Sequence, residues 1–263
     1  ELDLDDFQAK LSPRTRLMSL VHISNALGCC NPLDVIIPAA HAVGALVLVD
    51  ACQSLAHKPI NVASLDVDFL VGSSHKLCGP TGMGFLWARQ SLLEEMPPFL
   101  GGGEMIQDVF LDHSTWASLP HKFEAGTPAI GEAVGMGAAI RYLQSIGLDT
   151  IQAWEAQLTG HLFERLRGID GLRILGPTPD QQSGRGALAT FLVEGVHAND
   201  IAAMLDLAGI CIRSGHHCCQ PLHRHYNVTG SARASLSFTS TVDEIDRFAD
   251  ELQSVIAFFR EHA

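Results

Sequence analysis

The chain has 263 residues, 47% hydrophobic and 17% charged, enough for a large core in one domain or two. Its formal net charge of −12 argues against a nucleic-acid partner or an anionic membrane surface, and leaves room for a small anion held locally by backbone and hydroxyl groups. No uninterrupted apolar run reaches the ~18 residues of a spanning helix, so no membrane partner is expected; the acidic opening Glu1-Leu2-Asp3-Leu4-Asp5-Asp6 is not expected to be a signal peptide.

Residues 17–24 predict a strand ending at the polar Asn25. Asn31-Pro32-Leu33-Asp34 supplies a capping residue, a proline at the first helical position and an early acid. A helix is therefore expected to about Val43, stopped by Gly44, with a kink at Pro38. Residues 45–50 form a continuous apolar run, the pattern of a strand covered on both faces. Strand, helix and strand make a βαβ unit with a parallel sheet. Shorter strands follow at 68–71 and 84–88. Ligands of open α/β sheets sit beyond the carboxyl ends of the strands. Asn25, Asp50 with Gln53, and Ser73 to Lys76 all fall at such ends and are expected on one crevice.

From Gly101 to Pro128 the sequence is irregular and glycine-rich, as a long functional loop would be. Residues 131–146 predict a small-residue helix closed by Gly147, and 149–167 a long one that opens a second region. There a strand at 188–193, a helix at 199–207, a strand at 232–238 and a final helix alternate. The last helix begins with the capping box Thr241 and Glu244 and sets Ile245, Phe248, Leu252 and Ile256 at helical spacing. The expected division is residues 1–147 and 148–263.

Lys76 stands between a strand end and the breakers Gly79, Pro80 and Gly82, directly after Ser73, Ser74 and His75. A lysine in so apolar and glycine-rich a setting is a candidate for covalent work; the plainer alternative is a surface lysine on a loop. Asp50 ends the preceding strand, either as a satisfied loop or capping carboxylate or as the partner of a pyridine nitrogen. Pyridoxal phosphate enzymes need both groups: the lysine forms a Schiff base, and the carboxylate keeps the pyridine protonated so that the ring takes up electrons. Cys218 follows Arg213, Gly215, His216 and His217, whose cationic and imidazole groups favour a nucleophilic thiolate; the alternative is a thiol packed as a small hydrophobe. Seven cysteines, with the adjacent pairs Cys29-Cys30 and Cys218-Cys219, read as free thiols of a reducing compartment. Zinc held by His216-His217-Cys218-Cys219 is the rival from another class, disfavoured because consecutive residues seldom chelate one tetrahedral ion.

The segments Val49-Asp50-Ala51-Cys52-Gln53, Ser73-Ser74-His75-Lys76, Gly79-Pro80-Thr81-Gly82, Phe123-Glu124-Ala125-Gly126-Thr127-Pro128 and Arg213-Ser214-Gly215-His216-His217-Cys218 resemble the group II cysteine desulfurases, the SufS and selenocysteine-lyase branch of the class V aminotransferase type. The resemblance runs from about Leu17 to the C-terminus. It implies an α/β fold, with the mostly parallel sheet of a fold type I large domain over 1–147 and a smaller α+β domain over 148–263. The cofactor would be pyridoxal 5′-phosphate on Lys76, with Asp50 on the pyridine nitrogen, Gln53 on the phenolic oxygen, and Ser73 and His75 on the phosphate. Thr127 would complete the phosphate cup of a neighbouring subunit, which implies a homodimer. Asn25 and Arg233, with Arg213 nearby, would hold the substrate carboxylate, and Cys218 would take sulfur from L-cysteine as a persulfide while L-alanine leaves. L-Selenocysteine is the alternative substrate, and a sulfur-acceptor protein, with iron–sulfur cluster assembly beyond it, the expected destination, in the cytoplasm or an organelle matrix. Two departures stand out. Cys219 occupies a position that is usually small and unreactive, and the family places a cofactor-stacking histidine and much of the large domain ahead of this chain's first residue. The chain is therefore expected to be a fragment, and an inactive homologue that binds sulfur carriers is the alternative from another class.

Overall fold

The computed structural model describes residues 2–182 and 184–262. After a short helix α1 (Leu4–Lys10), the chain enters β1 (Leu17–Val21), crosses through α2 (Leu33–Ala42) and returns as β2 (Leu46–Asp50). A single turn α3 (Val62–Leu65) leads to β3 (Phe69–Ser73), a 3₁₀ turn Ser74–Lys76 and β4 (Gly84–Ala88). These strands form one sheet in the order β1-β2-β3-β4. The first three are parallel, with Val21 beside Asp50 and Asp50 beside Val71, and β4 closes the edge antiparallel to β3.

The βαβ unit has the predicted hand-off with two differences. β1 stops at Val21 rather than at residue 24, because Ser24 begins a tight loop: its Oγ accepts from the Ala26 and Leu27 N–H groups, and its carbonyl accepts from Gly28. Pro32, not Asn31, caps α2, since the Asn31 side chain donates instead to the Val21 carbonyl at 2.7 Å. β2 is buried on alternate residues only. Val47 and Val49 pack with Leu33, Ile37 and Leu70 under α2. The opposite face leaves Leu17, Val21 and Leu86 exposed, so the expectation of a strand covered on both faces holds for one face alone.

The segment expected to be irregular contains structure of its own. After α4 (Gln90–Glu95), β5 (Ile106–Val109) and β6 (Ser114–Trp116) form a hairpin, and a 3₁₀ turn His121–Phe123 precedes α5 (Ile130–Ile146). Gly147 separates α5 from α6 (Leu148–Arg167).

The second sheet is antiparallel, in the order β7-β8-β10-β9. Its strands are β7 (Leu172–Leu175), β8 (Leu188–Val193), β9 (Arg213–Gly215) and β10 (Ser231–Ser235). α7 (Ala198–Leu207), a short α8 (Gln220–His225) and α9 (Val242–Glu261) complete the chain. α9 starts with the predicted capping box and buries Ile245, Phe248, Leu252 and Ile256 against α6 and Phe191. Truncating any of these large buried side chains to alanine would cost about 2–5 kcal/mol.

The loop after β1 locks the two sheets together. Leu27 and Cys29 pack on Leu175, Thr190 Oγ1 donates to the Ala26 carbonyl, and Arg185 Nη2 donates to the Leu27 carbonyl at 2.7 Å. Gly28 has φ +72°, and a Cβ there would lie 2.6 Å from Arg185 Nη2, so this crossing requires glycine. A second tie joins His57 to Glu155 on α6, with Nδ1 2.9 Å from both carboxylate oxygens.

Candidate active site

The predicted residues fall into two groups, and Asn25 in the loop after β1 is bonded to the second of them. The first lies at the carboxyl ends of β2 and β3. Asp50 ends β2, and its Oδ1 accepts from the Cys52 N–H at 2.9 Å. Gln53 follows, half-buried, in the turn that leaves the sheet. Ser73 ends β3, and its Oγ lies 2.9 Å from His75 Nδ1. Lys76 closes the 3₁₀ turn, which Gly79 secures by donating to the Ser74 carbonyl at 3.0 Å. A Cβ at residue 79 would stand 2.3 Å from Ser74 Oγ, so the turn carrying Lys76 closes only with glycine there. Lys76 and His75 are exposed, which corrects the expectation of an apolar setting for the lysine: the 3₁₀ turn carries them past the end of the sheet.

Cys52 was not singled out by the sequence and sits inside this group. Burial pushes its thiol up to about 11, Asp50 adds to this by hydrogen bond and charge, and Lys76 and the Ser73 backbone oppose it. Asp50, Lys76 and the Ser73 backbone thus all act on this thiol. The thiol is neutral at ordinary pH and leaves the Asp50 carboxylate and the lysine available to a ligand.

The second group belongs to β9, β10 and the loop after β1. Arg213 and Arg233 face each other across the β9–β10 ladder. Arg233 Nη1 donates to the Asn25 carbonyl at 2.6 Å, and Asn25 Nδ2 donates to the His217 carbonyl at 2.7 Å. Burial, reinforced by Arg213, holds the Arg233 guanidinium below its ordinary range, and Cys218 counters this. The Nε atom of Arg233 is buried with no partner among the described residues. A buried cation with an idle donor lowers its free energy by accepting an anion.

Cys218 is exposed at the tip of a strained loop. His217 and Cys218 both have left-handed backbones, φ +50° and +59°, each costing about 1–2 kcal/mol for a non-glycine residue. A polar net sustains them. His223 is buried; its Nδ1 donates to the Cys219 carbonyl at 3.0 Å, and its Nε2 receives the Ser231 hydroxyl at 2.8 Å. His217 Nε2 donates to the Ser231 carbonyl at 3.1 Å. Burial, then Arg233 and His223, push His217 down to about 4. It is thus neutral at physiological pH, an imidazole beside the thiol rather than a cation; the cation that interacts with Cys218 is Arg233. The positioning roles of Ser231 and His223 had no signal in the sequence, since each touches the loop only through the β9–β10 fold-back.

Asn25 joins the groups: it follows β1, whose neighbour β2 ends in Asp50, and it holds the Cys218 loop. Thr127 is exposed, and no hydrogen bond joins it to either group among the described residues.

The model of the family described as Aminotransferase class-V matches residues 1–248. A "Probable cysteine desulfurase" of Synechocystis is 54% identical over 98% of this chain and 61% of its own length. The chain thus spans about three-fifths of the curated relatives it matches. The apo structure of a cysteine desulfurase from Thermococcus onnurineus superposes with a TM-score of 0.92 at 36% identity, covering 98% of this chain and 64% of that one. A mutant of C-DES with glycine covalently linked to its PLP cofactor gives 0.80 at 25% identity, over 94% of this chain and 62% of that one. A parallel sheet that ends in an aspartate and a lysine, matched by a family model over nearly all of its length, identifies the chain as a member of the aminotransferase class-V family.

Proposed function

We propose that this chain is the part of a pyridoxal phosphate-dependent cysteine desulfurase that carries the lysine, the pyridine partner and the sulfur-accepting thiol. The donor set fits the cofactor. Asp50 is an acceptor at the end of β2, Ser73 and His75 are paired small donors suited to phosphate, and Lys76 is an accessible amine. When bound, pyridoxal phosphate supplies an electron sink for the carbanion formed at the substrate Cα.

The chain's own residues have separable tasks. Asp50 would hold a proton on the pyridine nitrogen, and Gln53 would donate to the ring's phenolic oxygen. Lys76 holds the cofactor and then moves the Cα proton. Arg233, half-buried and without a carboxylate partner in the described residues, binds the substrate carboxylate, and Arg213 adds charge from the adjacent strand. Cys218, on the loop tied to Asn25, attacks the substrate sulfur, keeps it as a persulfide and releases alanine. A sulfur-acceptor protein then reaches Cys218 from solvent, where the residue is exposed. Thr127 serves the phosphate of a neighbouring copy in a homodimer.

The observation that carries this reading is the Asn25 bond to the His217 carbonyl, because it ties the Cys218 loop to the segment that follows β1, the strand beside the one that ends in Asp50. Borohydride added to the protein with pyridoxal phosphate should fix the cofactor on the peptide containing Lys76, and Lys76→Ala should abolish the labelling. Cofactor fixed on Lys58 or Lys122 would overturn the assignment. Lys122 is already spent on the Leu93 and Glu94 carbonyls. Alanine and sulfide appearing together from L-cysteine plus a thiol reductant then test the reaction itself.

A further inference from the structure

Away from the residues described above, the loops that follow β1 and β2 touch through Cys30 and Lys58. Lys58 Nζ donates to Cys30 Sγ at 3.9 Å. Both side chains are half-buried and line an open cleft of about 450 Å³ together with His22, Asp34 and Gln182. Gln182 clamps the Cys30 backbone from both sides: its Oε1 accepts from the Cys30 N–H at 2.7 Å, and its Nε2 donates to the Cys30 carbonyl at 3.0 Å. The thiol is therefore held in place while the amine sits on a flexible four-carbon stem beside it. No acidic side chain forms an ion pair with Lys58 among the described residues, so the thiol is its one side-chain hydrogen-bond partner there.

We propose that Cys30 and Lys58 form a redox-modification site, at which a peroxide joins the two side chains through a single oxygen atom as a nitrogen–oxygen–sulfur bridge. The steps balance with two equivalents of hydrogen peroxide. In the first, the Cys30 sulfur attacks one peroxide oxygen, the O–O bond breaks, and sulfenic acid and water form; sulfur is oxidised and peroxide reduced. In the second, the Lys58 nitrogen attacks another peroxide in the same way, giving a hydroxylamine and water. The hydroxylamine oxygen then attacks the sulfenic sulfur, and the departing hydroxyl leaves as a third water with the proton from oxygen. The chain gains one oxygen and loses two hydrogens. Burial holds the Cys30 thiol above its ordinary range, and Lys58 offsets this only in part against Cys29 and Asp34. The bridge is thus a product of sustained peroxide exposure rather than of a fast sensor thiol.

The consequence follows from the loops it joins. Cys30 lies five residues after Asn25 and Lys58 five after Gln53, so the bridge would staple together the two loops that leave the proposed cofactor crevice. A covalent link across this closure restricts the unfolded chain and raises thermal stability.

The test uses the whole chain, incubated with hydrogen peroxide at pH about 8 to 9 so that more of the thiol is ionised. Mass spectrometry follows cleavage before aspartate, which separates Cys30 (residues 6–33) from Lys58 (residues 50–65). The expected product is those two peptides linked, with a gain of about 14 Da over their sum, and their separation again on treatment with dithiothreitol. Lys58→Arg, which keeps the charge, and Cys30→Ser should each abolish the linked species, and the rise in melting temperature after peroxide should vanish with it. Oxidation confined to Cys30 with Lys58 unmodified, or a Cys29–Cys30 disulfide in its place, would overturn the proposal. So would a linked species that persists in Lys58→Arg.

Discussion

At the scale of single residues, the adjacent cysteines differ in what their backbones leave free. Cys219 is half-buried, caps α8 and has its carbonyl held by His223, whereas Cys218 is exposed at the left-handed tip of the loop. Only the first of the pair is presented to an incoming substrate. Cys218→Ala should lower sulfide release from L-cysteine by roughly 100-fold or more while the cofactor remains fixable on Lys76. Cys219→Ala should leave the first turnover largely intact, and mass spectrometry should find the persulfide on Cys218. Loss of turnover in the Cys219 variant alone would move the nucleophile by one residue. The Lys76, Asp50 and Cys218 motifs were legible because each is a local string at a strand end. Cys52 was not, because its place between Asp50 and Lys76 exists only once β2 and β3 pair. His217 reads in the sequence as an imidazole beside the thiol, and only the fold shows that burial and the nearby charges of Arg233 and His223 lower it to about 4.

Among the elements, the parallel sheet depends on one buried carboxylate. Asp68 precedes β3 and accepts from the Val47 N–H at 2.8 Å, from His41 of α2 at 2.8 Å and from Arg89 at 2.9 Å. Burial alone would raise its carboxyl, yet these three donors outweigh it and hold the group below the ordinary carboxylate range. Asp68→Ala would leave the Val47 N–H unpaired and Arg89 without its buried partner, and should cost about 3 kcal/mol in denaturant unfolding. Because the folded-state value is lowered, this contribution is complete above the unfolded carboxyl's 3.8 and is lost as pH falls below it. The variant and parent curves should therefore converge in acid and separate above about pH 4; a constant gap at all pH would show that packing, not charge, was lost. The sequence marked most of these elements, including β4, β8 and the capping box of α9. It missed the short helices α1, α3, α4 and α8, the β5–β6 hairpin, β7 and β9. β9 has three residues, and its Arg213-Ser214-Gly215 carries no apolar alternation, so pairing with β10 rather than pattern makes it a strand.

On the scale of the whole molecule, two of the apolar surfaces left uncovered among the described residues bear on assembly. One is the open face of the parallel sheet, with Leu17, Val21 and Leu86. The other runs along α5, where Ile130 and Val134 are 61% and 66% exposed one turn apart, beginning three residues after Thr127. The proposed exchange of Thr127 between copies favours the second surface, since α5 starts three residues after that threonine. Apolar side chains this exposed on consecutive turns favour association by about 25 cal/mol for each Å² removed from water. Val134→Arg places a charge in the middle of such a contact, where it would be desolvated without a partner. In light scattering coupled to size exclusion, it should shift the protein toward monomer and reduce the cofactor fixed on Lys76, because each site loses its neighbour's threonine. Leu86→Lys, on the sheet face, should change neither measurement. If Leu86→Lys dissociates the protein and Val134→Arg does not, copies pair through the sheet face, and Thr127 has no phosphate to serve.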